Sequence, residues 1–284
     1  MPTSTESVSK LYGRIADLEN QRLAEHPMER EITLRAIRKE LGPIPGKRIA
    51  DIGGGPGKIA FALADDGYDV DLVDLSPDLI QLAQAEQDER KSAGVKPLLR
   101  SIAVGNALDK SGLAEGLYDA VLLLGPLYHL LEEPERASAV TNALHLAKPN
   151  GGLVFVAFIS IDAHLRDVAM RNPGKVVDLK EFYTKYLIDG RYEKSEPGLG
   201  QTVQSFHTRP DDIRAFFASN FADSLELLEL RSTEGILGGG LDATLAKSSD
   251  EVVQVWVDLM FDGFSTKEQH LGCADHLLAT LRRK

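Results

Sequence analysis

Ile49-Ala50-Asp51-Ile52-Gly53-Gly54-Gly55-Pro56-Gly57 decides the reading of this 284-residue chain. An apolar run ending at Asp51-Ile52 passes straight into four glycines in five positions, and residues 58–66 behind them have helical character closed by Gly67. Glycine lacks a Cβ, so such a turn accepts positive φ and lets a ligand approach the backbone. Between a strand and a helix, it sits at the carboxyl edge of the sheet, where doubly wound folds hold their ligands. The spacing is acidic-x-Gly-x-Gly-x-Gly. A dinucleotide fingerprint started at Gly53 requires glycine at position 58, where Lys58 stands. A phosphate-cradling P-loop requires Ser or Thr after Gly57-Lys58, where Ile59 stands.

Outward from this turn the chain alternates between short apolar runs and helical stretches. Residues 47–52 and 69–75 read as strands, and 76–92 as a helix with Ser76 as N-cap, Pro77 at its first position and Asp78 in its first turn. Residues 98–104, 119–124 and 153–158 read as further strands, the second wholly apolar and so central. Residues 134–147 form a helix with Glu135 early and Lys148 late. Strands alternating with helices imply a parallel sheet with right-handed crossovers. Upstream, residues 5–41 show helical apolar spacing broken at His26-Pro27 and stopped by Gly42-Pro43-Ile44-Pro45-Gly46. Residues 160–208 interrupt the alternation, are polar, and carry Tyr183, Tyr186 and Tyr192, which predicts an inserted cap rather than a loop. The α/β pattern resumes with helices over 211–220 and 250–261, a strand over 225–230 and a final edge strand over 276–281.

Composition narrows the function classes. The chain is 43% hydrophobic and 26% charged, as globular proteins are, with a formal charge of −11. A net-acidic surface disfavours nucleic acid and anionic membranes as partners, and the terminal Arg282-Arg283-Lys284 reads as a solvated tail. The lone Cys273 excludes a disulfide framework and a multi-Cys metal site. No stretch approaches the ~20 apolar residues that span a bilayer, and the polar MPTSTESVSK start is no secretory signal, so a cytoplasmic location is expected.

The glycine turn, with Asp74 about twenty residues beyond it at the end of the next strand, resembles class I S-adenosylmethionine-dependent methyltransferases. The resemblance covers most of residues 47–160. It implies a doubly wound, mostly parallel seven-stranded Rossmann-like sheet, with residues 1–46 as an N-terminal helical lid. A methyltransferase domain over 47–284 would then carry a substrate cap insert at about 160–208. The implied cofactor is S-adenosyl-L-methionine, held by Asp51, Gly53, Gly54, Gly55 and Gly57 of the turn and by Asp74 and Leu75. This cofactor carries a sulfonium and an ammonium, and Asp51 can act on that cationic side. Asp74 can accept hydrogen bonds from both ribose hydroxyls. Asn106 and Ala107 would meet the adenine; many family members have Asp where Asn106 stands, and Asn keeps the acceptor oxygen without the charge. Leu124 and Gly125 would form the floor beneath the sulfonium. Asp71 alternates with Asp74 and reads as structural or solvent-facing.

The wording Gly125-Pro126-Leu127-Tyr128-His129-Leu130 resembles a small-molecule branch related to quinone-biosynthesis methyltransferases and lacks the Asn-Pro-Pro-Tyr type tetrapeptide of base and glutamine methylation. Methyl transfer from a sulfonium needs positioning first and a base second. His129 is the leading candidate base, with Tyr128 beside it, and a turn-capping role is its alternative. His164 and His207 rank lower, and His26 and His145 read as structural. The three tyrosines of the insert either line an aromatic substrate pocket or form the insert's own core. Tyr12 either folds over the cofactor or packs as part of an amphipathic helix. No His, Cys and carboxylate spacing predicts a metal. The expected protein transfers a methyl group to a small-molecule metabolite, with a homodimer as the alternative use of the insert. The rival readings are a methyltransferase-like cofactor-binding protein without methyl transfer and an NAD(P)-dependent oxidoreductase.

Overall fold

The computed structural model describes residues 26–109, 112–196 and 201–284. In it the apolar runs become β1 (Arg48–Ile52), β2 (Asp69–Asp74), β3 (Ser101–Val104), β4 (Ala120–Leu123) and β5 (Leu153–Ser160). These five are parallel in the order β3-β2-β1-β4-β5. Two more strands, β8 (Leu225–Ser232) and β9 (His276–Arg283), extend the sheet beyond β5. β9 lies antiparallel to β5, with Leu153 opposite Arg282 and Ile159 opposite His276, and β8 lies antiparallel to β9. The central sheet therefore reads β3-β2-β1-β4-β5-β9-β8, seven strands with one reversed. Residues 276–281, expected at the edge, lie inside the sheet between β5 and β8. Leu277, Leu278, Ala279 and Leu281 are buried there against the helices of both faces.

The helices are α1 (Pro27–Leu41), α2 (Lys58–Asp65), α3 (Pro77–Ser92), α4 (Glu133–Leu146), α8 (Pro210–Phe221) and α9 (Asp250–Gly263), with a short α10 (Glu268–Leu271). Two cores follow from the strand period of two. In β4, Ala120 and Leu122 face one core with α1, α2, α3 and α9, while Val121 and Leu123 face the other with α4 and α8. Such two-sided burial explains the unbroken apolar wording of β4 and β5. The sequence breaks placed the elements well: Ser76 Oγ caps α3 by accepting from Leu79 N at 3.4 Å, and Pro27 opens α1. His26 Nδ1 stands 2.9 Å from Asp242 Oδ1 at that helix start. Tyr12 lies outside the described residues.

Residues 161–208 fold as α5 (Ile161–Arg171), α6 (Lys175–Asp178), α7 (Lys180–Asp189) and the hairpin β6 (Arg191–Glu196) and β7 (Gln201–Thr208). The hairpin joins the end of β5 through Ile159 opposite His207 and Ser160 opposite Thr208. Tyr183 and Tyr186 are buried against Ile161 and Val168, with Leu165, Phe182 and Tyr192 packed around them. The tyrosines are therefore the insert's own core. His207 belongs to it too: Nδ1 is 2.7 Å from the Tyr186 hydroxyl and Nε2 is 2.9 Å from the Ser205 hydroxyl. Burial pushes its pKa down to about 3, so the ring stays neutral.

Parallel β1 to β5 end on one edge of the sheet. β8, antiparallel to the reversed β9, ends there as well, and β9 begins there. That single edge collects the residues after β1, β2, β3, β4 and β8 together with His276. Among the described residues no helix is long and apolar enough to cross a membrane.

Candidate functional site

The turn after β1 is held tightly from behind. Gly53 N and Gly54 N both donate to Val73 O, at 2.7 and 3.3 Å. A Cβ on Gly53 would stand 2.6 Å from Pro126 Cγ, and one on Gly54 would fall onto the Asp51 carboxylate. Gly55 shares the positive φ of Gly53, at +58° against +74°, but differs in that a Cβ there meets only Leu79 Cδ1 at 3.8 Å. Gly53 and Gly54 thus let the turn pack against its neighbours, while Gly55 opens onto the cavity in front of it.

Asp74, at the end of β2, is clamped between two loops. Oδ2 accepts from Gly55 N and Oδ1 from Ser76 N, each at 2.8 Å. Burial pushes its pKa up, and the backbone N–H donors of Ser76, Gly55 and Leu75 pull it back. Three backbone N–H donors thus take three of the roughly four lone-pair sites of the carboxylate, and acceptor capacity remains. Asp51 is fully buried and neither of its oxygens has a hydrogen-bond partner. Burial first, and the Asp74 charge second, raise its pKa to about 7. A buried polar atom left without a partner is costly, and this one lines a cavity. The orphaned carboxylate beneath a glycine cradle fits a ligand carrying a cationic group. Asp71 is structural, as its alternation suggested: it is buried and accepts from Arg100 Nε, the Ser101 hydroxyl and the Tyr118 hydroxyl.

β4 leaves the sheet through Leu124 and Gly125 into a single 3-10 turn, Pro126–His129. A Cβ on Gly125 would stand 3.1 Å from Gly53 O, so the exits of β1 and β4 touch. The half-buried Tyr128 and His129 rings meet edge to face at 4.7 Å. After β3, Asn106 Oδ1 accepts from Leu108 N at 3.0 Å, and Asp109 N donates to Asn106 O at 3.1 Å. Asn106, rather than Asp109, caps this turn, and one lone pair of its side-chain oxygen is already used.

Of the expected site residues that are described, all except Gly57 line one cavity on this edge. Gly57 stands behind it as the left-handed N-cap of α2, where a Cβ would press on Leu72 and Phe61 at 3.1 Å. Part of the lining was not foreseen: Glu29, Arg30 and Thr33 from α1, Thr233 after β8, and His276 at the start of β9. The helical spacing of α1 pointed to packing only, and a histidine opening an apolar strand carries no motif. None of the described residues of the insert lines this cavity. His164 and His207 belong to the insert's aromatic cluster, and His145 lies exposed on α4.

Residues 49–151 match the family model of a methyltransferase domain. A ubiquinone biosynthesis O-methyltransferase of Alkalilimnicola ehrlichii is 35% identical over 124 residues, covering 44% of this chain and 47% of that protein. One from Bordetella bronchiseptica is 30% identical over 150 residues, covering 53% and 58%. The chain spans about half the length of the curated relatives it matches. In overall fold it is similar to the magnesium protoporphyrin IX methyltransferase of Synechocystis PCC 6803, solved with bound SAH, at a TM-score of 0.58, 14% identity, and coverage of 99% of this chain and 100% of that one. Residues 49–151 thus match a methyltransferase domain, and the chain as a whole has a fold similar to that of solved methyltransferases.

Proposed function

We propose that this chain is a methyltransferase that binds S-adenosyl-L-methionine and methylates a hydroxyl oxygen of a small organic molecule. The observation that carries the reading is Asp74, held by Gly55 N and Ser76 N at the wall of a cavity whose base is the orphaned carboxylate of Asp51. When bound, the cofactor supplies an activated methyl group on a positively charged sulfur. The chain's own residues have the remaining work. Asp74 presents acceptor lone pairs to a ribose diol, while Asp51 compensates positive charge from below. Leu124 and Gly125 set the floor, and the apolar walls of Leu130 and Ala157 exclude water from the reacting atoms. That the relatives are O-methyltransferases of ubiquinone biosynthesis supports oxygen as the acceptor atom. Helix α1 forms part of the acceptor wall, in keeping with an N-terminal segment that closes the site. The described residues of the insert act from outside the cavity, as the backing of the floor turn.

Calorimetry with S-adenosylhomocysteine and with NAD tests the cofactor half. Tight binding of the first and none of the second is expected, because no pyrophosphate-binding glycine pattern is present. Formation of S-adenosylhomocysteine only on addition of a hydroxylated acceptor tests the catalytic half. A protein that binds the nucleoside yet turns over no acceptor would be a cofactor-binding relative without methyl transfer.

A further inference from the structure

A second cavity, of about 310 Å³, lies where the insert meets α4 and α8. Among the described residues it shares no lining residue with the first cavity. Arg136 of α4 lines it and is only 6% exposed. Its Nη1 donates to Leu130 O and Leu131 O at 2.7 and 2.8 Å, and its guanidinium lies 3.7 Å from the centre of the Phe206 ring. Among the described residues, Nε and Nη2 make no hydrogen bond, and solvent reaches both atoms. Burial pushes the pKa of Arg136 down, and the neighbouring acids, Glu133 first, act on it only at a distance. The guanidinium edge that carries Nε and Nη2 is therefore open. That edge is the fork through which arginine grips a carboxylate by two parallel hydrogen bonds.

We propose that this cavity is a second ligand site, that its ligand is an aromatic monocarboxylate, and that the Nε–Nη2 edge of Arg136 is the anchor. The site goes beyond the methyltransferase reading and does not rest on it. A buried charge without a counter-ion is costly, and an incoming carboxylate supplies the counter-ion and fills both open donors. The chain's nearest candidate for that place is Glu133, whose Oε1 is already drawn to α8 by Asn220 Nδ2 at 3.2 Å. The volume lies at the lower end of the range of about 300–1,000 Å³ that small-molecule sites occupy.

The rest of the lining sets the class of the ligand. Phe158, Ile161, Ile213 and Phe216 supply an apolar wall with two aromatic rings, which suits a flat apolar body behind the carboxylate. Glu133, Asp189 and Asp212 line the same cavity and limit the charge the ligand can bring. Besides Arg136, the cationic side chain among the described lining residues is Arg209. Its Nη2 is taken by Leu187 O at 2.7 Å, and its Nη1 stands 3.9 Å from Asp212. A dianion such as a phosphate ester would meet three carboxylates with one open fork to neutralise it, whereas a monocarboxylate is neutralised by that fork alone. Leu130, held by Nη1 of the same arginine, lines the first cavity, so one residue links the two sites.

The test uses 2-naphthoate, whose fluorescence responds to burial, titrated into the full chain with and without S-adenosylhomocysteine. We expect saturable binding in both titrations, with the uncharged 2-naphthamide bound about tenfold or more weakly. Arg136→Lys keeps a charge and a donor for the two carbonyls but has no fork, and should weaken 2-naphthoate about tenfold or more. Ala215 is an exposed residue of α8 in the cavity lining, so Ala215→Trp fills the space and should abolish 2-naphthoate binding. That variant should keep its S-adenosylhomocysteine affinity within about twofold of wild type. Circular dichroism checks both folds; if Arg136→Lys does not fold, Ala215→Trp and the amide decide. The proposal is overturned by no saturable binding, by equal binding of the amide, or by unchanged affinity in folded Arg136→Lys or in Ala215→Trp. Displacement of 2-naphthoate by S-adenosylhomocysteine overturns it as well, since the probe then sits in the first cavity. Tighter binding of 2-naphthyl phosphate than of 2-naphthoate overturns the monocarboxylate class. If S-adenosylhomocysteine fails to bind the wild-type protein, the methyltransferase reading falls, while the titration without nucleoside still reads this site.

Discussion

Asp74 does two jobs with one carboxylate. It ties the glycine turn to the start of α3 through Gly55 N and Ser76 N, and it faces the cavity. Asp74→Ala should therefore weaken S-adenosylhomocysteine binding about ten- to a hundredfold, the loss of one or two charge-assisted hydrogen bonds. It should also lower stability by about 1–3 kcal/mol, because the backbone N–H groups of Gly55, Leu75 and Ser76 lose their acceptor. Calorimetry reads the first effect and urea unfolding the second; unchanged affinity would remove Asp74 from ligand binding. Asp51 behaves differently. Its carboxyl holds its proton up to about pH 7 when folded, against 3.8 for an ordinary Asp. Between those values the native state binds more protons than the unfolded chain, so on this group's account stability falls as pH rises from about 4 to 7. Asp51→Asn removes that loss. The variant should gain on the order of 2–4 kcal/mol over wild type at pH 8 and almost nothing at pH 4 in paired thermal melts. The same variant should bind S-adenosyl-L-methionine more weakly at pH 8, because the charge that answers the ligand's cations is gone.

At the scale of the element, the strand–turn–helix unit β1–α2 shows why three neighbouring glycines are not equivalent. Gly53 and Gly54 have no room for a side chain behind them, and their substitution would move Pro126 or Asp51. Gly55 has room, but its φ of +58° and its place on the cavity wall set other limits. Gly55→Val should fold with a penalty of about 1–3 kcal/mol from backbone strain and should abolish S-adenosylhomocysteine binding, since the β-branched side chain stands in the cavity. A folded variant that still binds tightly would place the ligand elsewhere. Helix α1 was legible as an amphipathic element through Ile32, Ile37 and Leu41, which pack in the core. Its contribution of Glu29 to the cavity was not, because a charged residue in a first helical turn reads equally well as a helix-dipole partner.

Across the whole molecule, the described residues of the insert brace the site without entering its lining. From α5, Arg166 donates to Gly272 O at 2.8 Å and to Ala274 O at 2.5 Å and pairs with Asp275, fixing the loop that leads into His276. From β7, Phe206 stacks under Arg136 at 3.7 Å, and Arg136 donates to Leu130 O and Leu131 O beside the floor turn. The insert is thus a brace for two walls of the cavity. Arg166→Met should keep S-adenosylhomocysteine affinity within about twofold and lower acceptor turnover about ten- to a hundredfold, because a small misplacement of a reacting group is expensive in rate. Turnover equal to wild type in steady-state assays would show that the insert's grip on residues 272–275 has no bearing on the reaction.

The wording of the chain by itself determined the parallel sheet, the glycine turn and the acidic residue after β2, since all three are local. Alternation of apolar strands with capped helices needs only neighbouring residues to be read, and the turn and Asp74 lie about twenty positions apart in a fixed strand–helix–strand unit. Tertiary structure alone decided the rest. β9 became an interior strand because β8 pairs with its far side, a contact between residues about fifty positions apart. That pairing sets His276 and Glu234 side by side on the edge where β1 and β2 also end. Tyr183, Tyr186 and Tyr192 turned inward because the insert must bury an apolar face of its own. Aromatic wording is the same for a substrate pocket and for a private core, and only packing separates them.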